Sequence, residues 1–203
     1  MWPVGTYERM IHDIKMREDP DIPITFGVLI ADHRQQKARE YVLNYITRFD
    51  KLSEKYINFY LPGYLEKDAI GYRTDVKIRG TNYAFNSGVY IDFLSHFCYD
   101  FDIDYPYTPV LILLEYNRGH FKKSRKIVIK LDENGAEIER AGRLIETIVD
   151  IARKHVELEE FSAGLQQSVI RDSLFERLIE GIDNTIISSI TKGINDTQKY
   201  RIE

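Results

Sequence analysis

Residues 24–31 read Ile24-Thr25-Phe26-Gly27-Val28-Leu29-Ile30-Ala31, an almost continuous apolar run with the length of a β-strand. Strands that are covered on both faces have such runs, whereas half-exposed strands alternate apolar and polar residues. The run therefore predicts a central strand in a sheet that is covered on both sides. Asp32 ends it.

The next segment, residues 34–56, carries one apolar stripe at helical spacing. The stripe consists of Ala38, Tyr41, Val42, Tyr45, Ile46, Phe49 and Leu52. This spacing predicts an amphipathic helix. A second apolar run, residues 57–61, follows and ends at the turn signal Pro62-Gly63. Strand, helix and strand in this order predict two adjacent parallel strands joined by a right-handed crossover.

Apolar periodicity predicts elements on both sides of this unit. The helical spacing of residues 7–14 indicates a short docking helix that ends before Pro20. Residues 86–101 favour a buried helix capped by Asn86 or Ser87, with a strand as the alternative. Two apolar runs, residues 110–116 and 127–131, favour a hairpin, and residues 141–152 indicate a further helix.

The polar stretch of residues 64–85 shows no sustained period and is predicted to be a long loop with at most one short strand, at residues 75–79. The resulting fold class is α/β: a Rossmann-like or flavodoxin-like three-layer domain with a mixed, mostly parallel sheet and helical N- and C-terminal extensions. This order of elements is similar to that of flavodoxin-like, TIR-like and other Rossmann-related folds, in architecture only.

The length of 203 residues suits one such domain. It is predicted to comprise a docking helix in residues 1–22, the α/β domain in residues 23–160 and an amphipathic helical extension in residues 161–203. An isoleucine-rich apolar stripe in residues 165–194 predicts a homo-oligomer, most simply a two-fold dimer. Packing of that stripe on the protomer's own sheet is the alternative.

The composition indicates which kinds of partner and which cellular compartment suit this chain. A net charge of -4 gives no general attraction for nucleic acid. The only cysteine, Cys98, excludes an intramolecular disulfide and a cysteine-based metal site, and it favours a cytoplasmic location. The sequence contains no secretory leader pattern and no apolar run of about 18 residues, so we expect no export by that route and no membrane span.

Candidate site residues follow three predicted strands, because ligands of open α/β sheets bind beyond the carboxyl ends of parallel strands. Asp32 and Glu115 are the predicted acid/base groups or ribose ligands, although Asp32 also suits a helix cap and Glu115 a cross-hairpin pair. The predicted ligand-binding residues are His33, Arg34, Tyr60, Tyr64, Asn117 and Arg118.

Two further patterns have both a functional and a structural interpretation. Asp92 and His96 lie four residues apart on a predicted helix, so they form either a second catalytic pair or a satisfied polar stripe. The basic segment of residues 118–126 either attracts a phosphate or an acidic partner, or protects a loop tip and an edge strand.

No Walker A, dinucleotide-binding, zinc-protease, nucleophile-elbow or kinase motif occurs in the sequence. The position of the polar residues favours a chain that binds or processes a nucleotide or related phosphorylated small molecule. The missing motifs favour the alternative, a non-enzymatic protein-interaction or oligomerisation module. Whether the chain is an enzyme, and which cofactor it uses, stay open at this level; no metal site is predicted.

Overall fold

The computed structural model describes residues 1–19, 21–39, 46–47, 50–51, 56–67, 75–104, 106, 109–130, 146–154, 158, 160 and 163–164. Its named elements are β1 (Trp2–Val4), α1 (Tyr7–Met16), β2 (Ile24–Ile30), β3 (Asn58–Pro62), β4 (Tyr64–Glu66), β5 (Val76–Ile78), β6 (Thr81–Phe85), α2 (Ser87–Phe101), β7 (Val110–Asn117) and β8 (His120–Lys130). The described strands form a five-stranded sheet, in the order β1-β3-β2-β7-β8, and a three-stranded sheet, in the order β4-β6-β5.

The predicted parallel pairing of the two strands that flank the crossover, β2 and β3, is confirmed. These strands are adjacent and parallel, with Phe26 opposite Asn58. In the intervening segment, residues 36–39, 46–47 and 50–51 are helical, and the rest of the predicted helix lies outside the described residues. β1, which the sequence analysis missed, extends the parallel part of the sheet beside β3.

The prediction of a Rossmann-like or flavodoxin-like three-layer domain with a mostly parallel sheet is wrong. Of the six pairings between the described strands, the four that involve β4 to β8 are antiparallel. The supposed loop of residues 64–85 contains a small antiparallel sheet, and β7 then enters beside β2 in the opposite direction. An apolar run buried on both faces has the same composition in either direction, so it did not reveal this reversal.

The helices predicted from apolar spacing in residues 7–14 and 86–101 are both confirmed, as α1 and α2. α1 begins after Thr6, whose side chain accepts the Arg9 N–H, and α2 begins after Asn86, whose side chain accepts the Val89 N–H. The predicted hairpin is also present, although its turn is shorter than expected. Arg118 and Gly119 both have positive φ, which is typical of the two-residue turns that join twisted strands.

Both faces of the large sheet are buried. On one face, side chains such as Phe26, Val28 and Ile112 pack with the apolar sides of α1 and α2. On the other, Leu29 and Leu113 pack with the small sheet and with helical residues 146–152. In the part of the chain that the structure describes, no helix is long and apolar enough to cross a membrane. Apart from residues 163–164, the predicted C-terminal extension lies outside that part.

Candidate functional site

The carboxyl ends of β2 and β3 bring polar residues together at one edge of the large sheet. β2 ends at Ile30 and leads into Asp32, His33 and Arg34. At the end of β3 the chain turns at Gly63, whose φ of 84° is readily adopted only by glycine, and it continues into Tyr64 of β4. Because β2 and β3 are parallel neighbours, both sets of residues lie at the same edge.

His33 lies between a hydroxyl and a carboxylate. Its Nδ1 is 3.1 Å from the Tyr64 hydroxyl, and its Nε2 is 3.5 Å from Oδ1 of Asp75. The imidazole also stacks on Phe85, with 5.9 Å between ring centroids and 30° between the ring planes. These contacts hold the ring in one orientation, with both nitrogens facing polar groups.

The protonation of Tyr64 determines which proton arrangements this cluster allows. Burial raises the pKa of the Tyr64 hydroxyl, and the carboxylates of Asp75 and Asp32 raise it further. The hydroxyl therefore keeps its proton and donates to Nδ1 of a neutral His33, which then carries its own proton on Nε2, towards Asp75. When His33 is protonated, the hydroxyl rotates and accepts from Nδ1. The cluster thus accommodates either protonation state of His33.

Asp75 is itself held in place by the small sheet. Its Oδ2 accepts the Phe85 N–H at 2.8 Å, and its own N–H donates to the Tyr83 carbonyl at 3.0 Å. The carboxylate that faces His33 is therefore positioned by β6. Sequence reasoning allowed a short strand at residues 75–79, which β5 confirms, but it missed Asp75 and Phe85 as site residues because it interpreted the rest of their segment as a loop. The alternation of Val76-Lys77-Ile78 before Gly80 is the signal for that strand.

Asp32 and Arg34 form an ion pair beside His33. Both carboxylate oxygens accept from Nε of Arg34, at 2.9 and 3.1 Å, and Oδ2 also accepts from Nη2. The side-chain hydrogen bond from Arg34 lowers the pKa of Asp32. Oδ1 of Asp32 also accepts the Arg34 N–H at 2.9 Å, so this carboxylate shapes the turn that precedes the helical residues 36–39 instead of capping the helix itself.

Three other predicted site residues lie at the opposite end of the sheet, because β7 runs antiparallel to β2. Ile30 is paired with Val110, whereas Glu115 is paired with Thr25. Five residues of strand, about 17 Å, separate the two ends. Glu115 is 3% exposed, and its Oε2 accepts the Leu158 N–H at 2.9 Å. Asn117 and Arg118 belong to the β7–β8 turn.

Tyr60 is also separated from the cluster, because it points to the other face of the sheet. Its hydroxyl donates to Oδ2 of Asp13 in α1 at 2.7 Å. Burial raises the pKa of this hydroxyl, and the bond to Asp13 raises it further. The contact joins α1 to the sheet and does not contribute to the strand-end site.

Asp92 and His96 lie on the outer surface of α2. Their side chains are 66% and 52% exposed, and His96 Nδ1 is 3.9 Å from the Asp92 carboxylate but 3.0 Å from the Asp92 carbonyl oxygen. The His96 ring stacks on Tyr7. The carboxylate therefore does not hold the imidazole by a direct hydrogen bond in this arrangement.

The strand-end cluster is consequently formed by Asp32, His33, Arg34, Tyr64 and Asp75. It combines a guanidinium group with an imidazole that can exchange a proton. Within the described residues, no group of three or more His, Cys, Asp or Glu side chains is placed to hold a metal ion. No family model matches the sequence, and comparison with the curated proteins and with the solved structures found no significant match.

Proposed function

We propose that this chain binds a nucleotide or related phosphorylated small molecule at the strand-end cluster. The observation that carries the proposal is the grouping of His33, Arg34 and Tyr64 where two parallel strands end and a helical segment, residues 36–39, begins. Such edges collect loops and helix N-termini, whose N–H groups attract anions. Two elements of the chain thus present polar groups to the same volume.

Arg34 is the residue that we expect to bind the phosphate. Its side chain is 58% exposed, so it reaches solvent although it is paired with Asp32. Asp32 engages Nε and one Nη2 hydrogen, and a guanidinium group has five N–H donors. A phosphate group can therefore compete for the donors of this exposed guanidinium group, with which it forms charge-assisted hydrogen bonds.

His33 is the residue that we expect to move a proton if the bound ligand reacts. The 3.5 Å separation from Asp75 is longer than a strong hydrogen bond, so a ligand oxygen can compete for Nε2. Tyr64 and Asp75 act as positioning residues, since each contacts a ring nitrogen. Turnover of the ligand is the enzymatic form of this proposal, and binding alone is its non-enzymatic form.

Thermal unfolding with and without ATP, ADP, AMP and pyrophosphate tests the binding. A ligand at about 100 times its Kd stabilises the folded chain by about 2.7 kcal/mol. We expect Arg34→Gln to remove most of that stabilisation. Arg118→Gln is the matched control, because it makes the same change at the far end of the sheet.

Two results would contradict this site. One is the absence of stabilisation by any of the four ligands; the other is an equal loss in the Arg34 and Arg118 variants. If binding is observed, product assays on wild type and His33→Gln distinguish the two forms of the proposal. Turnover that disappears in His33→Gln while binding persists supports an enzyme.

A second proposal, favoured by the outer face of α2, is that the chain is an interaction or oligomerisation module. Tyr99 is 88% exposed and Ile91 is 47% exposed on this helix. The two residues lie about two turns apart on the same side of the helix, and exposed apolar patches are typical of interaction sites. A homodimer is part of this proposal, and the segment first predicted to form it, residues 165–194, lies outside the described residues. Sedimentation of wild type and Tyr99→Glu over a range of concentrations tests it, and a wild type that stays monomeric would contradict it.

A cytoplasmic location also stays a proposal, supported by the lone cysteine of the sequence. Fractionation of cells that express the tagged chain tests it. Recovery of the chain outside the cytoplasmic fraction would contradict it.

A further inference from the structure

β8 is an edge strand of unusual length for this sheet. It has 11 residues and stands last in the order β1-β3-β2-β7-β8, and its pairing is with β7. The ladder joins residues 126–130 to β7 and resumes at Phe121 and His120, with a register shift between the two parts. In an antiparallel pair, every second residue directs its N–H and C=O groups away from the partner strand, so residues 126–130 present such groups on their outer side. Within the described part of the chain, no strand pairs with that outer side. The edge therefore offers a row of hydrogen-bonding groups to another chain.

The charged residues in and around this strand are all basic. Residues 116–131 contain Lys or Arg at six positions, 118, 122, 123, 125, 126 and 130, and no Asp or Glu, in a chain whose net charge is -4. Local charge of one sign on a protein of opposite net charge attracts a complementary partner to that surface.

Two of these cations have partners on α2. Nζ of Lys123 is 3.5 Å from Oδ1 of Asp100. Nζ of Lys126 donates to the carbonyl oxygens of Phe101, at 3.0 Å, and of Asp102, and these groups lie at the carboxyl end of the helix. A positive charge at the carboxyl end of a helix interacts favourably with the helix dipole. Both lysines therefore have structural roles.

The remaining described cations and His120 point to solvent. Arg118, His120 and Lys122 are exposed, and they form no ion pair with any residue that the structure describes. They lie at the turn and in the first residues of β8. The open basic side chains therefore lie at the end of β8 beside its register shift, next to the regularly paired residues 126–130.

We infer that the outer edge of β8 binds an extended acidic segment of another protein, which adds to the large sheet as a further strand. Main-chain hydrogen bonds to residues 126–130 would supply affinity, and carboxylates at one end of the segment would pair with Arg118, His120 and Lys122. A second copy of β8 is disfavoured at this edge, because like charges would face each other. The basic side chains that prevent self-pairing therefore also select an acidic strand.

Fluorescence anisotropy with the full chain and a labelled peptide tests this inference. The probe is a peptide of alternating Glu and Val, about eight residues long, which suits a β-strand. Its first control is the same peptide N-methylated at every peptide nitrogen, which cannot donate to a sheet edge. The second control is a single-stranded oligothymidylate, which carries negative charge without a peptide backbone.

We expect the Glu-Val peptide to bind and the N-methylated peptide to bind much more weakly. Lys122→Glu should weaken binding of the peptide by about tenfold or more. Lys15→Glu, which makes the same charge change on the exposed side of α1, should alter it little. No binding of the Glu-Val peptide, equal binding of the N-methylated peptide, or tighter binding of the oligonucleotide would each overturn the inference.

Discussion

Replacement of Glu115 tests whether its carboxylate has a structural or a catalytic role. The side chain is 3% exposed and accepts the Leu158 N–H at 2.9 Å. A hydrogen bond to a charged group contributes about 1.5–3 kcal/mol, and an unsatisfied buried donor costs about 1–3 kcal/mol. With the cavity left by truncation, we expect Glu115→Ala to lower the free energy of unfolding by about 2–4 kcal/mol. Glu115→Gln keeps an acceptor oxygen, so its loss should be about 1 kcal/mol.

Urea unfolding followed by circular dichroism measures both losses, and Asp92→Ala is the control. Asp92 is exposed on α2, so its variant should stay within about 0.5 kcal/mol of wild type. The reasoning is refuted if Glu115→Ala is as stable as that control. In the nucleotide assay, Glu115→Gln should leave binding intact, because the residue lies at the far end of β2 from Arg34. If Glu115→Gln instead lost binding while its stability stayed intact, Glu115 would be a ligand-binding residue.

Three further predictions concern packing and titration. Gly27→Ala should lower stability by about 1–3 kcal/mol, because an added Cβ would lie 2.5 Å from a ring carbon of Phe59. Gly88→Ala, in the more open first turn of α2, should raise stability by about 0.5–1 kcal/mol; urea unfolding that gave both variants the same sign would contradict this. Because hydrogen bonding to an arginine lowers the pKa of Asp32, its stabilising contribution is present above about pH 4 and is lost as the pH falls through the folded-state pKa. In Asp32→Asn, the free energy of unfolding should therefore fall less steeply than in wild type as the pH is lowered below about 4. The same decrease in both proteins would argue against the ion pair. Burial raises the pKa of the Cys98 thiol to about 11, so at about pH 8 iodoacetamide should modify the native chain about a hundredfold more slowly than the urea-unfolded chain; equal rates would count against it.

Elements whose signals are local were predictable from the sequence. The apolar spacing of α1 and α2 and the cap at Asn86 act over a few residues, and both helices are present with those features. The parallel pairing of β2 and β3 was also predictable, since a helical pattern separates two apolar runs. The grouping of Asp32 with His33 and Arg34 follows from their adjacency in the chain.

The direction of β7 was decided only in the tertiary structure. Its apolar run would be buried equally well in either direction, so composition did not indicate at which end Glu115 would lie. The small sheet likewise depends on pairing between segments that are individually short, such as β5 and β6. That pairing brings Asp75 to His33 across 42 positions of sequence. Residue periodicity reports which side chains are buried, whereas strand direction and long-range pairing depend on where the chain re-enters the sheet, and those two properties determine which residues share a site.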